Sequence, residues 1–529
     1  MGVVAMKATV LAVLLGCVLG MADFNQGGAQ SGTDTKTIFV PVLLNWPGLN
    51  NSFFTSELTL TNRGSETVVL NYTYMAHRGG GNGIATDMLG PMQQKIETDA
   101  MDYLRGLGVP IPETGSQIGS LRVDVSGASE VVVMVRTTTA VPEGRAGLAY
   151  FGVPRDEGFL DEAVYLCGLR QNQQDRSNVA VQNMGSEGEI TVRATVFSGN
   201  PADRSGEVLD EVKLKPGGFH QYNAVLKDKG DPVHGGYVKV ERMAGEAPFY
   251  AYGVINDQVN SDGSFVFPVS ESSLEGVRGQ ALPVIVEAGQ FTSELTLTNF
   301  SDKSKVLNLT LSEYVPTDEL FQSELVTVPY SLELKAGQQR IIPSVIDVWR
   351  AEEIPGIDSF GESITAPLFA EEEDGEMSGI VIGARTGSPD ANGGQYSVFY
   401  TAVPERERFT DSAWIFGLQQ NAENRGNLAI VNTGEIDDSS SEFRLEIYDG
   451  HGMLVRVFPR FLVAPREWFQ RNGILNSAPG VTQGYVRILK HFDESGEYGN
   501  NPFLAYGVVN DGERPGKGSG DGAYIPARE

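Results

Sequence analysis

The sequence predicts an all-β protein: four tandem immunoglobulin-like antiparallel β-sandwich modules in an A-B-A-B duplication, with short connecting helices. Three observations carry this expectation. The nonapeptide Phe54-Thr55-Ser56-Glu57-Leu58-Thr59-Leu60-Thr61-Asn62 returns as Phe291-Thr292-Ser293-Glu294-Leu295-Thr296-Leu297-Thr298-Asn299, roughly half a chain later, which marks an internal duplication. Its alternation puts Leu58 and Leu60 on one face and threonines on the other, the period of two of a half-buried strand. Gly (63) and Pro (26) are frequent enough to supply many turns between short strands.

At 529 residues the chain exceeds what a single hydrophobic core organises, so several domains are expected. Hydrophobic residues (41%) and aromatics (9%) suffice for packed cores. The net charge of −28 and pI near 4.6 give a surface that repels nucleic-acid phosphates and anionic membranes. Nucleic acid is therefore excluded as a partner, and divalent cations are natural counter-ions.

Residues 1–22 read as a signal peptide. Lys7 supplies its positive charge, and residues 8–19 a short apolar stretch. Gly20-Met21-Ala22 offers small residues for cleavage before Asp23. The expected location is extracellular or at the cell surface, with a periplasmic or lipid-anchored protein as the alternative. Leu14-Leu15-Gly16-Cys17 has the form of a lipobox, which makes Cys17 a lipidation candidate. Against it, residues 18–22 stay apolar where lipoproteins turn polar. No membrane span is expected in the mature chain. Cys167 is the other cysteine, so the mature chain has no intrachain disulfide. Its counterpart is Phe416, and a thiol exchanged for a phenyl ring marks a buried packing position.

Residues 23–36 are polar and glycine-rich, a flexible leader. Module A1 covers 37–157, B1 158–274, A2 275–406 and B2 407–529. A1 opens with a strand at 37–43, matched by 281–286, and the repeated strand follows. Next come a strand at 68–74, a loop at Gly79-Gly80-Gly81 and a strand near Gln93. Residues 99–105 and 344–350 have helical spacing, each with an Asp and an Arg at i, i+3, and Pro110 and Pro355 follow them. They are expected to be connecting helices at the ends of sandwiches. A1 closes with strands at 131–137 and 147–154, and A2 with strands at 380–386 and 396–404. In the B units, 168–183 matches 417–432, 236–240 matches 484–488, and 248–257 matches 502–511. A and B are related in turn, since 177–185 and 426–434 align with 56–64. All four last strands run into proline, at Pro154, Pro268, Pro404 and Pro526. Each unit spans about 110 to 125 residues with roughly seven strands, the size of an immunoglobulin-like sandwich.

The recurring Asn (Asn62, Asn183, Asn299 and Asn432) tolerates left-handed backbone and bonds its own neighbours, so it ends a strand and starts a turn. The strand-Asn-x-Gly pattern resembles bacterial surface modules of immunoglobulin-like fold. From about residue 37 the chain resembles uncharacterised exported bacterial proteins with tandem modules of this kind. That resemblance implies export and a binding or structural role, and it carries no catalytic residues.

Few residues suggest chemistry. His77, His220, His234, His451 and His491 stand apart in sequence and form no metal-ligand spacing. No nucleophile elbow, phosphate loop or C-x-x-C pair is present. Glu57 and Glu294 are a carboxylate pair of the type glycosidases use, but they lie in separate modules and read as outward-facing strand residues. Asp257 and Asp262, with Asp511 and Asp521, occupy matched hairpin loops and are candidate calcium ligands. Their unequal spacing favours turn chemistry instead. No other cofactor is expected. Residues 371–376 are acidic and read as a solvated loop. One polar set recurs: Gln171, Asn172, Arg176 and Asn178 match Gln420, Asn421, Arg425 and Asn427. It reads either as a hydrogen-bonded corner or as a polar-ligand or glycan site. The functional expectation is an exported, non-enzymatic binding or structural protein with a protein or glycan partner. The alternatives are a secreted carbohydrate-active enzyme, or an accessory subunit of an envelope assembly, with a site at a module junction.

Overall fold

The computed structural model describes residues 35–127, 130–229, 235–317, 323–491 and 499–529. The expected signal peptide, Cys17, His234 and most of the leader lie outside them. The fold is all-β, with four antiparallel sandwiches in A-B-A-B order. No helix among the described residues is long and apolar enough to cross a membrane.

Unit A1 contains β1 (Thr35–Pro47), β2 (Phe53–Asn62), β3 (Val68–Arg78), β4 (Gly83–Leu89), β5 (Gln94–Glu97), β6 (Gln117–Ser126), β7 (Val131–Val141), β8 (Gly144–Phe151) and β9 (Val153–Pro154). One sheet runs β4-β3-β6-β1-β9 and the other β5-β2-β7-β8. The long β1 joins them, pairing with β6 over most of its length and with β2 at its end. Its register shifts between Val40 and Leu43, beside Pro41, which has no N–H to give the ladder. The matching shift in A2 flanks Pro283. In the B units the same shift falls at Gly168 and Gly417, both with left-handed backbone (φ 81° and 68°).

The alternation of β3 is read directly in its burial: Val68, Leu70, Tyr72 and Tyr74 are in the core. The unit holds more strands than the expected seven. Strand β5 falls where a strand near Gln93 is expected and β9 ends the expected stretch 147–154, whereas β4 and β6 are strands that the repeat pattern does not single out. The acidic stretch 371–376 is exposed as expected except at Glu372. Glu371 and Glu372 end the strand Ile364–Glu372, and the buried Glu372 carboxylate accepts the Asp374 N–H at 2.8 Å.

Asn62, Asn183, Asn299 and Asn432 are fully buried. Each amide oxygen accepts the N–H two residues on, at 2.7–3.1 Å. Each amide nitrogen also reaches a carbonyl of the edge strand, those of Leu89, Leu214, Leu334 and Val463. All four keep negative φ, so the turn bond rather than left-handed geometry explains the residue. The helix α1 (Ala100–Gly106) is capped by the Asp99 side chain and buries Met101 and Leu104. Its A2 counterpart, Val345–Ala351, buries Trp349.

The four sandwiches close on one another. The last hairpin strands of the units are β8, Gly263–Val266, Gln395–Thr401 and Gly522–Pro526. Each packs against two of the others, so A1, B1, A2 and B2 form a ring. Within the first half Tyr150 and Tyr252 stack on Phe265; within the second, Tyr400 and Tyr506 meet Tyr524. Between the halves, Cys167 packs with Tyr165, Tyr237 and Val381, and Phe416 with Trp414 and Tyr485 beside Met92. Burial pushes the Cys167 thiol up to about 12, as suits a packing residue.

Ring closure alters the reading of the repeated strand. Leu58 and Leu60 face the A1 core, but Thr59, Thr61 and Glu57 are buried as well. The strand is covered on both faces because B2 docks on the side expected to meet water.

Candidate functional site

Glu57 is 7% exposed rather than outward-facing. Its carboxylate accepts Arg136 Nη2 at 3.2 Å and Gln419 Nε2 of B2 at 2.7 Å. Arg136 Nη1 continues to Asn424 Oδ1 at 2.7 Å. At the related junction Glu294 pairs with Arg170 of B1, and Arg385 Nη1 pairs with Asp175 at 2.9 Å. One junction thus uses Arg170 and Asp175 where the other uses Gln419 and Asn424. Burial alone would lower the Arg385 pKa, but Asp175, Glu294 and Asp262 outweigh it and raise it. These carboxylates pin modules together.

The four candidate calcium ligands all accept backbone N–H donors. Asp257 takes those of Val259, Asn260 and Gln395; Asp262 that of Ser397; Asp511 that of Ser519; Asp521 those of Gly147 and Gly522. Asp262 and Asp521 thereby link B1 to A2 and B2 to A1. Burial pushes both carboxyls up, and a nearby carboxylate adds to the push in each case, Asp257 on Asp262 and Asp262 on Asp521. The cavity beside Asp521 is about 10 Å³, enough for one water. No group of three or more His, Cys, Asp or Glu among the described residues is placed to hold a metal ion. His77 meets Phe219 edge-on across the A1–B1 junction, His220 lies edge-on to Tyr222, and burial lowers both pKa values.

Larger clefts lie elsewhere, one of about 440 Å³ between A1 and B1 and one of about 330 Å³ where B1, A2 and B2 meet; the first has the richer set of convergent polar groups. Trp46 and Phe54, cross-strand partners on β1 and β2, are half-buried in its wall, with Tyr150 and Tyr252. Arg176, Asn178, Gln221, Asn223 and Asn256 supply polar groups. Among the described lining residues Arg176 alone is charged. Its Nη1 donates to Asn178 Oδ1 at 3.1 Å, while its buried Nε has no partner. Burial lowers its pKa. Asn178 Oδ1 also accepts the Ala224 N–H at 3.0 Å, and Gln221 Nε2 donates to Asn223 Oδ1 at 2.7 Å.

The recurring polar set therefore divides. Arg176 and Asn178 line the cleft, whereas Asn172 closes a tight turn by accepting the Gln174 and Asp175 N–H groups. Gln171 bridges to Arg176 across that turn. In B2, Asn421 and Gln420 do the same. There Arg425 Nη1 donates to the carbonyls of Asp511 and Gly512, and Asn427 bonds Asn510 and the Gly473 N–H.

Sequence reasoning missed the aromatic wall. The signal available was a length difference. Residues 47–53 separate Trp46 from Phe54, while 289–290 alone separate their register counterparts Ala288 and Phe291. The longer loop forms one side of the cleft through Pro47, Gly48 and Leu49, and Asn50 Nδ2 ties it to the Val259 carbonyl of B1 at 3.2 Å.

No protein-family model and no curated protein matches the chain. Among solved structures, Escherichia coli alpha-2-macroglobulin activated by porcine elastase aligns with 92% of this chain and 44% of its own, at 8% identity and a TM-score of 0.10. A score that low carries no argument about fold or function.

Proposed function

We propose that the protein is an exported, non-enzymatic binding protein whose closed ring of sandwiches holds one ligand cleft between A1 and B1. The observation that supports this is the cleft's lining: aromatic walls, four amides and one guanidinium. Acid–base and nucleophilic catalysis need a group of suitable pKa within hydrogen-bond reach of substrate. The described lining contains no His, Cys, Asp or Glu. Aromatic faces beside convergent amides suit a polar ligand such as a glycan.

The enzyme alternative calls for carboxylates of perturbed pKa in a deep cleft. Asp262 and Asp521 have raised pKa values but are buried against backbone N–H groups, Asp521 beside a space of about 10 Å³ that admits no sugar. Glu407, also raised by burial, lines a cleft of about 330 Å³ but stands in its described lining without the second carboxylate that glycoside hydrolysis needs. Export rests on Lys7 and the apolar residues 8–19. Cell fractionation with N-terminal sequencing tests it: a chain outside the cytoplasm beginning at Asp23 is expected, and retention in the cytoplasm would refute export. For the cleft, a glycan array with the mature chain should yield ligands that Trp46→Ala weakens. An empty array, or ligands indifferent to Trp46→Ala, would refute the binding reading.

A further inference from the structure

We infer that the cleft takes an acidic sugar, a pyranose bearing one anionic group, with Arg176 receiving the anion; this rests on the binding reading above. The first ground is charge. The chain carries 68 Asp and Glu against 40 Lys and Arg, yet the described lining holds a single charged side chain, and it is positive. The other buried arginines at module junctions have carboxylate partners: Arg136 with Glu57, Arg170 with Glu294, Arg385 with Asp175. Arg176 bonds only the neutral Asn178, and no carboxylate among the described residues pairs with it. Its counterpart Arg425 is occupied by two backbone carbonyls. A half-buried guanidinium lacking a counter-charge is a site for an anion, and its planar fork suits a carboxylate or sulfate. The net charge of −28 does not prevent this. Distant surface charges are screened over about 8 Å at physiological ionic strength, whereas a partly buried contact is screened far less.

The second ground is the body of the ligand. Trp46 and Phe54 line the cleft with aromatic rings of the kind that pack on the weakly positive C–H face of a pyranose, and the Arg78 guanidinium lies over the Trp46 ring at 5.8 Å from its centroid. The amides around them suit hydroxyl groups. Asn178 has its oxygen engaged twice, and no described residue accepts from its Nδ2, so that nitrogen is available to a ligand oxygen. A volume of about 440 Å³ suits a mono- or disaccharide rather than a long polymer segment. A purely apolar acid would leave these amides unpaired, which disfavours it.

Calorimetric titration of the mature chain with three disaccharides tests the inference: digalacturonate, a sulfated galactobiose and neutral galactobiose. At least one acidic arm should bind about tenfold tighter than the neutral one, and the tighter acidic arm identifies the anion. Arg176→Gln should erase the preference, Arg176→Lys should retain part of it, and Trp46→Ala should weaken every arm. Equal binding of neutral and acidic arms, with sensitivity to Trp46→Ala, would overturn the anion assignment and leave the binding reading intact. No binding by any arm would overturn both.

Discussion

Replacing Asp262 by Asn should flatten the pH dependence of stability and strengthen the fold at alkaline pH. Asp262 is fully buried where the B1 hairpin meets A2. One oxygen accepts the Ser397 N–H at 2.7 Å, and the other has no partner. Burial is the main cause that pushes its carboxyl from 3.8 up to about 7; Asp257 adds to the push, while the Ser397 N–H and Arg385 oppose it. A carboxyl whose folded pKa exceeds its unfolded value keeps its proton in the folded chain after the unfolded chain has lost it. Its contribution is therefore complete below about pH 4 and is lost as pH rises through about 7. Roughly three units at 1.36 kcal/mol each make about 4 kcal/mol across that window. The amide of Asp262→Asn is neutral at every pH, and its oxygen can still accept from the Ser397 N–H. Urea unfolding of both proteins at pH 5, 6.5 and 8 gives the comparison. The wild type should lose about 2–3 kcal/mol more than the variant between pH 5 and pH 8, the part of the window that lies above pH 5. Parallel pH profiles would refute the assignment of the buried proton to Asp262.

Three further outcomes are expected. Arg385→Met leaves Asp175 buried without its ion partner and should cost about 3–5 kcal/mol by urea denaturation; a change below about 1 kcal/mol would show that the junction does not depend on the pair. Gly168→Ala places a Cβ 3.0 Å from the Phe399 ring at φ 81° and should lower the melting temperature, with a cost of about 1–3 kcal/mol; an unchanged melt would contradict the close approach. Asn62→Ala should cost about 1–3 kcal/mol. Asn62→Asp should cost more, because it keeps the acceptor for the Gly64 N–H but turns an oxygen towards the carbonyls of Glu66, Leu89 and Gly90. A milder effect of Asp than of Ala would show that the amide nitrogen is not the important half.

The fold was legible because its signals are local. Alternation marks β3, the Asn at the end of each core strand marks a turn, and the Asp102–Arg105 spacing marks α1. Self-comparison supplied the four-unit plan. What could not be read was contact between units. Glu57, Thr59 and Thr61 look like a solvent face because a period of two distinguishes polar from apolar, not water from a docked neighbour. The same blindness hid the junction role of Asp262 and Asp521. For the cleft, repetition identified Arg176 and Asn178, but it grouped them with turn-forming Gln171 and Asn172 because adjacency in sequence says nothing of facing. Trp46 escaped because it lies where the copies differ.

That difference bears on how a duplicated chain acquires a single site. Both halves inherited the arginine and the amides: Arg176 and Arg425, Asn178 and Asn427, Asn256 and Asn510. In the second half these groups bond one another and nearby backbone. In the first, the longer loop at 47–53 lies beside Trp46 in the cleft wall, and Arg176 bonds only the neutral Asn178. An open cleft with a half-buried, uncompensated charge is destabilising by itself. The ring tolerates it because A1 and B1 are each held by a second neighbour as well, A1 by B2 through Glu57 and Asp521, and B1 by A2 through Asp175 and Asp262. Shortening 47–53 to the length of 289–290, with Trp46→Ala, should therefore abolish ligand binding while leaving stability equal or higher. A large loss of stability would instead make the loop a structural part of the A1–B1 junction and remove the basis for treating it as the acquired feature.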